Sequence, residues 1–199
     1  MTARLTIVYY SATGNVHAMA QAIRDGAEEA GAEVRLRRVP ELAPPAAIAS
    51  NPEWAAHAQA TQDVAEVSHE DLVWADALIF GTPTRFGVMA SQLKQFIDTT
   101  GGIWEEGRLA DKVASGFVST AEQHGGQEST LLGLYNVFIH WGCILVPPGY
   151  TDDCIFPAGG NPYGSSATGR PDEAALAAAR FQGRRVVEKA ALLAPVMVR

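Results

Sequence analysis

Three short segments concentrate the residues of this chain that could do chemistry. Ser11-Ala12-Thr13-Gly14-Asn15 follows an apolar, β-branched run from Leu5 to Tyr9 and precedes an amphipathic stretch that starts near Val16. Two hydroxyls, a glycine that lets backbone approach a ligand and the free N–H groups opening a helix make a socket for an anion. The turn lacks the Lys that a nucleotide-triphosphate loop places after its second glycine, and it lacks GxGxxG, so a monophosphate fits better than ATP or a dinucleotide. Thr82 to Gly87 and Ser119 to Gly126 carry a similar mixture of hydroxyls and backbone-permissive residues. Such segments suit a flat polar ring held largely by backbone groups. Each alone also reads as an ordinary turn. Their recurrence at three successive strand ends is what points to one ligand.

The elements that must position these segments alternate. Strands are expected at Leu5 to Tyr9, Glu33 to Val39, Ala77 to Phe80, Val113 to Ser119 and Cys143 to Val146. The continuous apolar run at Ala77 to Phe80 marks a strand buried on both faces, ending at Gly81-Thr82-Pro83. Helices are expected at Val16 to Ala30, with Gly31 beyond its end, at Met89 to Ile97 and at Glu128 to His140; Pro171 and Asp172 open a last, alanine-rich one ending near Leu193. Five strands alternating with helices predict an α/β, doubly wound parallel sheet with right-handed crossovers, and ligands bind beyond the carboxyl ends of such strands. Pro40 to Ser68 and Tyr150 to Gly169 interrupt the alternation and read as long loops, serving as functional rims, oligomer contacts or surface padding.

With 199 residues, 47% of them hydrophobic, the chain can fill one domain over residues 1–199. Its net charge of −7, spread without a basic block, argues against nucleic acid and anionic membranes and for small molecules or proteins as partners. No apolar run reaches the roughly 20 residues of a membrane span, and no signal segment follows Met1, so a cytoplasmic protein is expected. Cys143 and Cys154 form neither a CxxC pair nor part of a Cys/His cluster, so reduced thiols and no metal are expected.

At this point a resemblance becomes specific. Tyr9-Tyr10-Ser11-x-x-Gly14, Phe80-Gly81-Thr82-Pro83-Thr84-Arg85-Phe86-Gly87, Thr100-Gly101-Gly102-x-Trp104 and Gly125-Gly126-Gln127-Glu128 resemble the WrbA-type NAD(P)H:quinone oxidoreductases of the flavodoxin-like superfold. Arg38-Val39-Pro40-Glu41, Val146-Pro147-Pro148-Gly149-Tyr150, Pro162-Tyr163-Gly164 and Ala179-Arg180-Phe181-Gln182-Gly183 extend the likeness to the last helix. It implies the strand order 2-1-3-4-5, a homotetramer built as a dimer of dimers, FMN as cofactor, NAD(P)H as electron donor and a quinone as acceptor. It places the FMN phosphate on Ser11, Ala12, Thr13, Gly14, Asn15 and Val16, and the ring along Pro83, Thr84, Arg85 and Phe86. Ser119, Thr120, Ala121 and Gly125 would hold the pyrimidine side, His140 would reach the flavin from another subunit, and Trp104 would wall the substrate side. The flavin would carry the chemistry, with no catalytic side chain. Thr13 stands where a tyrosine often contacts the nicotinamide, and Ala121-Glu122-Gln123-His124 replaces a shorter run of small residues.

The residues themselves keep other readings open. Arg85 suits a surface ion pair or a cation beside a ring that turns anionic on reduction. Phe86 and Trp104 suit a core or an exposed wall, and His140 suits a helix C-terminal dipole. His17 and His124 border the expected site without a proton-transfer role to assign them. The function expected is two-electron, ping-pong quinone reduction, which limits superoxide and is protective; the alternative is a flavodoxin-like carrier passing single electrons between protein partners.

Overall fold

The central strands of the sheet are largely apolar, because helices cover both faces there and a polar face would be buried without partners. The computed structural model describes residues 2–193; residue 1 and residues 194–199, the ends of the expected domain, lie outside them. In β1 (Arg4–Tyr9), Leu5, Ile7 and Tyr9 pack with α1 (Asn15–Glu29), while Val8 belongs to the opposite face. In β3 (Ala77–Arg85) the same alternation sends Ile79 to the first face and Leu78 and Phe80 to the second. The second face is closed by α4 (His69–Trp74), α5 (Ser91–Asp98) and α7 (Gln127–His140), whose Leu72, Leu93 and Phe138 are fully buried.

The sheet runs β2 (Glu33–Arg38), β1, β3, β5 (Val113–Thr120), β6 (Ile144–Leu145), all parallel. Counting these five main strands alone, the order is the expected 2-1-3-4-5. Three features differ from the sequence expectation. First, β3 does not stop at Phe80: Gly81, Thr82 and Pro83 pair with β5 and the strand continues to Arg85, then turns back antiparallel into β4 (Val88–Met89). Gly81 is there because a Cβ would stand 2.0 Å from the ring of Phe117.

Second, Cys143 to Val146 supplies only the lower half of the fifth strand. The upper half is β7 (Ser166–Thr168), which pairs with Val118 to Thr120 after the chain has left the sheet and returned. Pro147 and Pro148 force the departure, since neither can donate to a ladder. Third, the stretch expected to be a loop from Pro40 to Ser68 contains α2 (Pro45–Ala49) and α3 (Pro52–Ala60). Asn51 caps α3 by accepting from the N–H groups of Glu53 and Trp54, and Pro52 takes the first helical position where no donor is needed.

The last helix, α8 (Glu173–Leu193), begins where Asp172 accepts from Ala175 N–H, and α6 (Gly101–Glu105) follows α5. Helices α1 and α8 touch backbone to backbone: a Cβ on Gly26 would lie 2.0 Å from the Arg180 carbonyl, and one on Gly183 2.1 Å from the Ile23 carbonyl. Gln182, fully buried beside that contact, donates to Ser115 Oγ and the Gly116 carbonyl and accepts from Ser165 N–H. It thus joins α8 to the middle of β5 and to the returning segment before β7. No helix among the described residues is long and apolar enough to cross a membrane.

Candidate active site

The strand order sets the edge from which three loops leave the sheet. Tyr9 pairs with Gly81 and Pro83 with Ser119, so adjacent β1, β3 and β5 all end on the same carboxyl edge, with β3 and β5 reaching a few residues beyond β1. The result is a cleft of about 750 Å³, within the roughly 300–1,000 Å³ of small-ligand sites. Ser11, Ala12, Thr13, Asn15 and Val16 line one side of it; Pro83, Thr84, Arg85 and Phe86 line another; Ser119, Thr120, Ala121 and Gly125 complete it. Two residues that the sequence reading did not assign join them. Glu122 comes from the altered loop, and Gly169 is tied in by donating its N–H to the Thr120 carbonyl at 2.7 Å. Gly169 sits in a glycine-rich stretch with no local mark to single it out.

The β1–α1 turn is prepared for an anion. Gly14, at the N-cap of α1, has φ +98°, and no side chain caps the helix. The N–H groups of Asn15, Val16 and His17 precede the first helical bond, which Ala18 donates to Gly14. Ser11 Oγ accepts from Gly14 N–H at 3.1 Å, which closes the turn and leaves the hydroxyl proton to donate elsewhere. An oxyanion held by these groups would also meet the positive end of a 15-residue helix.

The β3–β4 hairpin forms a second wall. Its turn residues Phe86 (φ +53°) and Gly87 (φ +80°) are both left-handed, the conformation a two-residue hairpin of matching twist needs. Phe86 consequently stands fully in solvent at the cleft, its relative exposure 105%. The hairpin is pinned to α7 by Ser129, which donates to the Gly87 carbonyl at 2.8 Å. Thr84 and Thr130 hydroxyls are 2.7 Å apart, and Thr130 donates to the Gly126 carbonyl, so the Thr84 proton is the one between them. Arg85 binds the Thr84 carbonyl through one nitrogen and is otherwise exposed.

The third wall is tight backbone. Thr120 Oγ1 donates to the Glu122 carbonyl and accepts from Gln127 Nε2, while Gly125 N–H returns to the Glu122 carbonyl. A Cβ on Gly125 would stand 2.8 Å from that carbonyl, so the turn requires glycine.

Other residues singled out in the sequence stand elsewhere. Gly14 shapes the loop from behind and faces His57. His17 lies beneath the loop, 2.6 Å from the Tyr9 hydroxyl, and burial, His57 and Arg24 hold its pKa down at about 4. His124 lines a neighbouring polar cavity with Gln123, Asn161 and Arg170. Trp104 and His140 do not line the cleft of their own chain. They sit together at the other end of α7, a 14-residue helix about 20 Å long. His57, which no motif marked, is a further residue that the sequence reading missed, behind the cleft and not lining it.

The geometry combines an anion socket, a wall bearing an exposed ring and a cation, and a backbone-lined third side open to solvent. Those features fit a phosphate-tailed planar ring such as FMN. Comparisons with known proteins agree. Residues 6–152 match the family described as NADPH-dependent FMN reductase. The chain is 50% identical over 196 residues to an NAD(P)H dehydrogenase (quinone) of Deinococcus radiodurans, covering 96% of each chain. It is 45% identical over 202 residues to one of Sinorhizobium fredii, covering 96% of this chain and 99% of the relative. Among solved structures, a WrbA-like flavodoxin from Agrobacterium tumefaciens aligns with a TM-score of 0.72 at 27% identity, over 96% of this chain and 99% of that one. A flavodoxin from the domain Archaea, at 18% identity and a TM-score of 0.65, shares the fold.

Proposed function

The chain belongs to the NADPH-dependent FMN reductase family, and from that premise we propose that it is an FMN-dependent NAD(P)H:quinone oxidoreductase forming one FMN-binding domain over residues 1–199. FMN, when bound, supplies the redox chemistry, taking a hydride from NAD(P)H and delivering two electrons to a quinone in a ping-pong sequence. The carrying observation is the convergence of Ser11, Phe86 and Ser119 on one cleft.

The protein's part is to bind and orient. The phosphate belongs on the N–H groups of Asn15 and Val16 and on the Ser11 hydroxyl, with Ala12, Thr13 and Gly14 shaping the loop. The ring belongs against Pro83, Thr84, Arg85 and Phe86, opposite Ser119, Thr120, Ala121 and Gly125. Arg85 places a positive charge where negative charge grows on reduction. The face left open receives the nicotinamide and then the quinone, and flat aromatic surface favours both. Trp104 and His140, paired on a surface remote from their own cleft, serve the cleft of a neighbouring subunit in a homotetramer. A cytoplasmic location, with NAD(P)H at hand, suits this activity, and two-electron delivery gives it a protective value against oxidative stress.

Anaerobic titration and steady-state kinetics test the reading together. The FMN-loaded protein should oxidise NADH or NADPH with benzoquinone, and reduction should proceed in one two-electron step. Failure to bind FMN at one per chain would overturn both this reading and the single-electron carrier, and two well-separated one-electron steps without quinone turnover would favour the carrier.

A further inference from the structure

Behind the β1–α1 turn three rings form a column. Tyr9 and His17 are joined by a 2.6 Å hydrogen bond with ring centroids 5.2 Å apart, and His17 stands 5.4 Å from His57 at an interplanar angle of 56°. His57, reaching in from α3, abuts the turn: its Nδ1 is 3.4 Å from the position a Cβ would take on Gly14. Ser11 borders both the main cleft and a second cavity of about 140 Å³ that His57 lines.

The groups facing this column are committed to other partners. Tyr9 belongs to β1, and burial pushes its phenol up to about 12, so it stays protonated. Arg24 on α1 is bonded to Asp25 at 2.8 Å, and Arg38 on β2 is paired with Glu66 at 2.9 Å. Glu41 accepts from Tyr10 Oη, Trp54 Nε1 and Gln92 Nε2. Among the described residues neither imidazole has a carboxylate partner. The turn itself, Ser11 to Val16, contains no Lys or Arg to answer a phosphate.

We propose that His57, backed by His17 and Tyr9, is a positioning residue for the FMN phosphate, and that the histidine pair takes up a proton from solvent as the phosphate seats. The proposal rests on the reading of Ser11 to Val16 as the phosphate socket. In the free protein burial holds His57 below its ordinary pKa, and burial with the neighbouring imidazole does the same to His17. An anion settling on the turn against which His57 packs favours the charged imidazole. Repulsion between the two rings restricts the gain to one proton shared by the pair. Because binding then raises the pair's pKa, the pair strengthens FMN binding as pH falls through its bound-state pKa and levels off below its free-state pKa, opposing the loss of affinity that protonation of the phosphate near pH 6 produces.

Calorimetric titration of the full-length, FMN-free chain with FMN and with riboflavin, in buffers of different ionisation heat, tests this. Wild type should take up more protons with FMN than His57→Gln does, and its affinity should gain on the variant's as pH falls, by up to about tenfold per unit for each full proton. Riboflavin, lacking the phosphate, should bind both proteins with the same proton count. Should His57→Gln not fold, His57→Phe keeps a ring on Gly14 without a titratable nitrogen and carries the same readout. Equal proton uptake and equal pH slopes in wild type and variant overturn the proposal. In that case Ser11→Asp separates the two readings: if it weakens FMN and spares riboflavin the socket stands without the proton, and if it spares FMN the socket falls as well.

Discussion

Trp104 donates its indole N–H to the His140 carbonyl over 2.8 Å, joining α6 to the C-terminal end of α7 on the side of the sheet away from the cleft. Trp104 is 51% exposed, an uncommon outlay of aromatic surface for a residue whose indole N–H is already satisfied. The pair therefore presents a flat apolar ring where only another molecule can use it.

If that molecule is a second subunit, the pair acts in trans. Trp104→Ala should lower quinone turnover more than FMN affinity. Subunits carrying Trp104→Ala, reassociated with subunits carrying Ser11→Asp, should recover activity that neither parent has. Kinetics and fluorescence titration on the mixed and parent preparations measure both, and equal impairment of turnover and FMN retention by Trp104→Ala would remove it from a substrate wall.

Phe86 carries backbone strain. Its φ of +53° costs a residue with a bulky side chain about 1–2 kcal/mol, and its ring makes no compensating burial in the isolated chain. Asn tolerates this conformation, so Phe86→Asn should stabilise the FMN-free protein by about 1 kcal/mol, or about 2–4 °C in Tm. Chemical and thermal denaturation measure it, and a loss of stability would mean that Phe86 is buried against something in solution.

The α1–α8 contact has no room for a methyl group. Gly183→Ala drives a Cβ into the Ile23 carbonyl, and backbone on both sides must separate. A loss of about 1–3 kcal/mol is expected, as for overpacked cores. Gly133→Ala, where nothing stands within 4 Å, is the control and should be neutral or stabilising, because alanine favours a helix interior over glycine.

His17 makes the FMN-free fold acid-sensitive. Its folded pKa, held at about 4 by burial, His57 and Arg24, lies below the ordinary value of 6.5. The unfolded chain therefore binds the proton first, and stability present above about pH 6.5 declines as pH falls towards 4, then levels off. Denaturation midpoints across that window should fall less steeply for His17→Gln than for wild type.

Much of this molecule was legible along the chain. Apolar β-branched runs announced β1, the first part of β3 and β5, and the residues just beyond them proved to line one cleft. Asn51-Pro52 was a readable helix start that the proline-rich surroundings concealed. β7 was not legible at all: Ser166, Ala167 and Thr168 are neither apolar nor branched enough to read as a strand, and they become one because Val118 to Thr120 offers an unpaired edge.

Local chemistry along the chain was enough to specify strand-turn-helix units, an anion-ready turn at Gly14 and the hydroxyls around it, because each depends on neighbours only a few residues away. Which of those turns share an edge of adjacent strands, that His57 reaches Gly14 from α3, and that Trp104 and His140 meet at the remote end of α7 rest on ladder register and helix packing. Such contacts join residues tens of positions apart, and they exist only once burial of both sheet faces has fixed how the elements lie against one another.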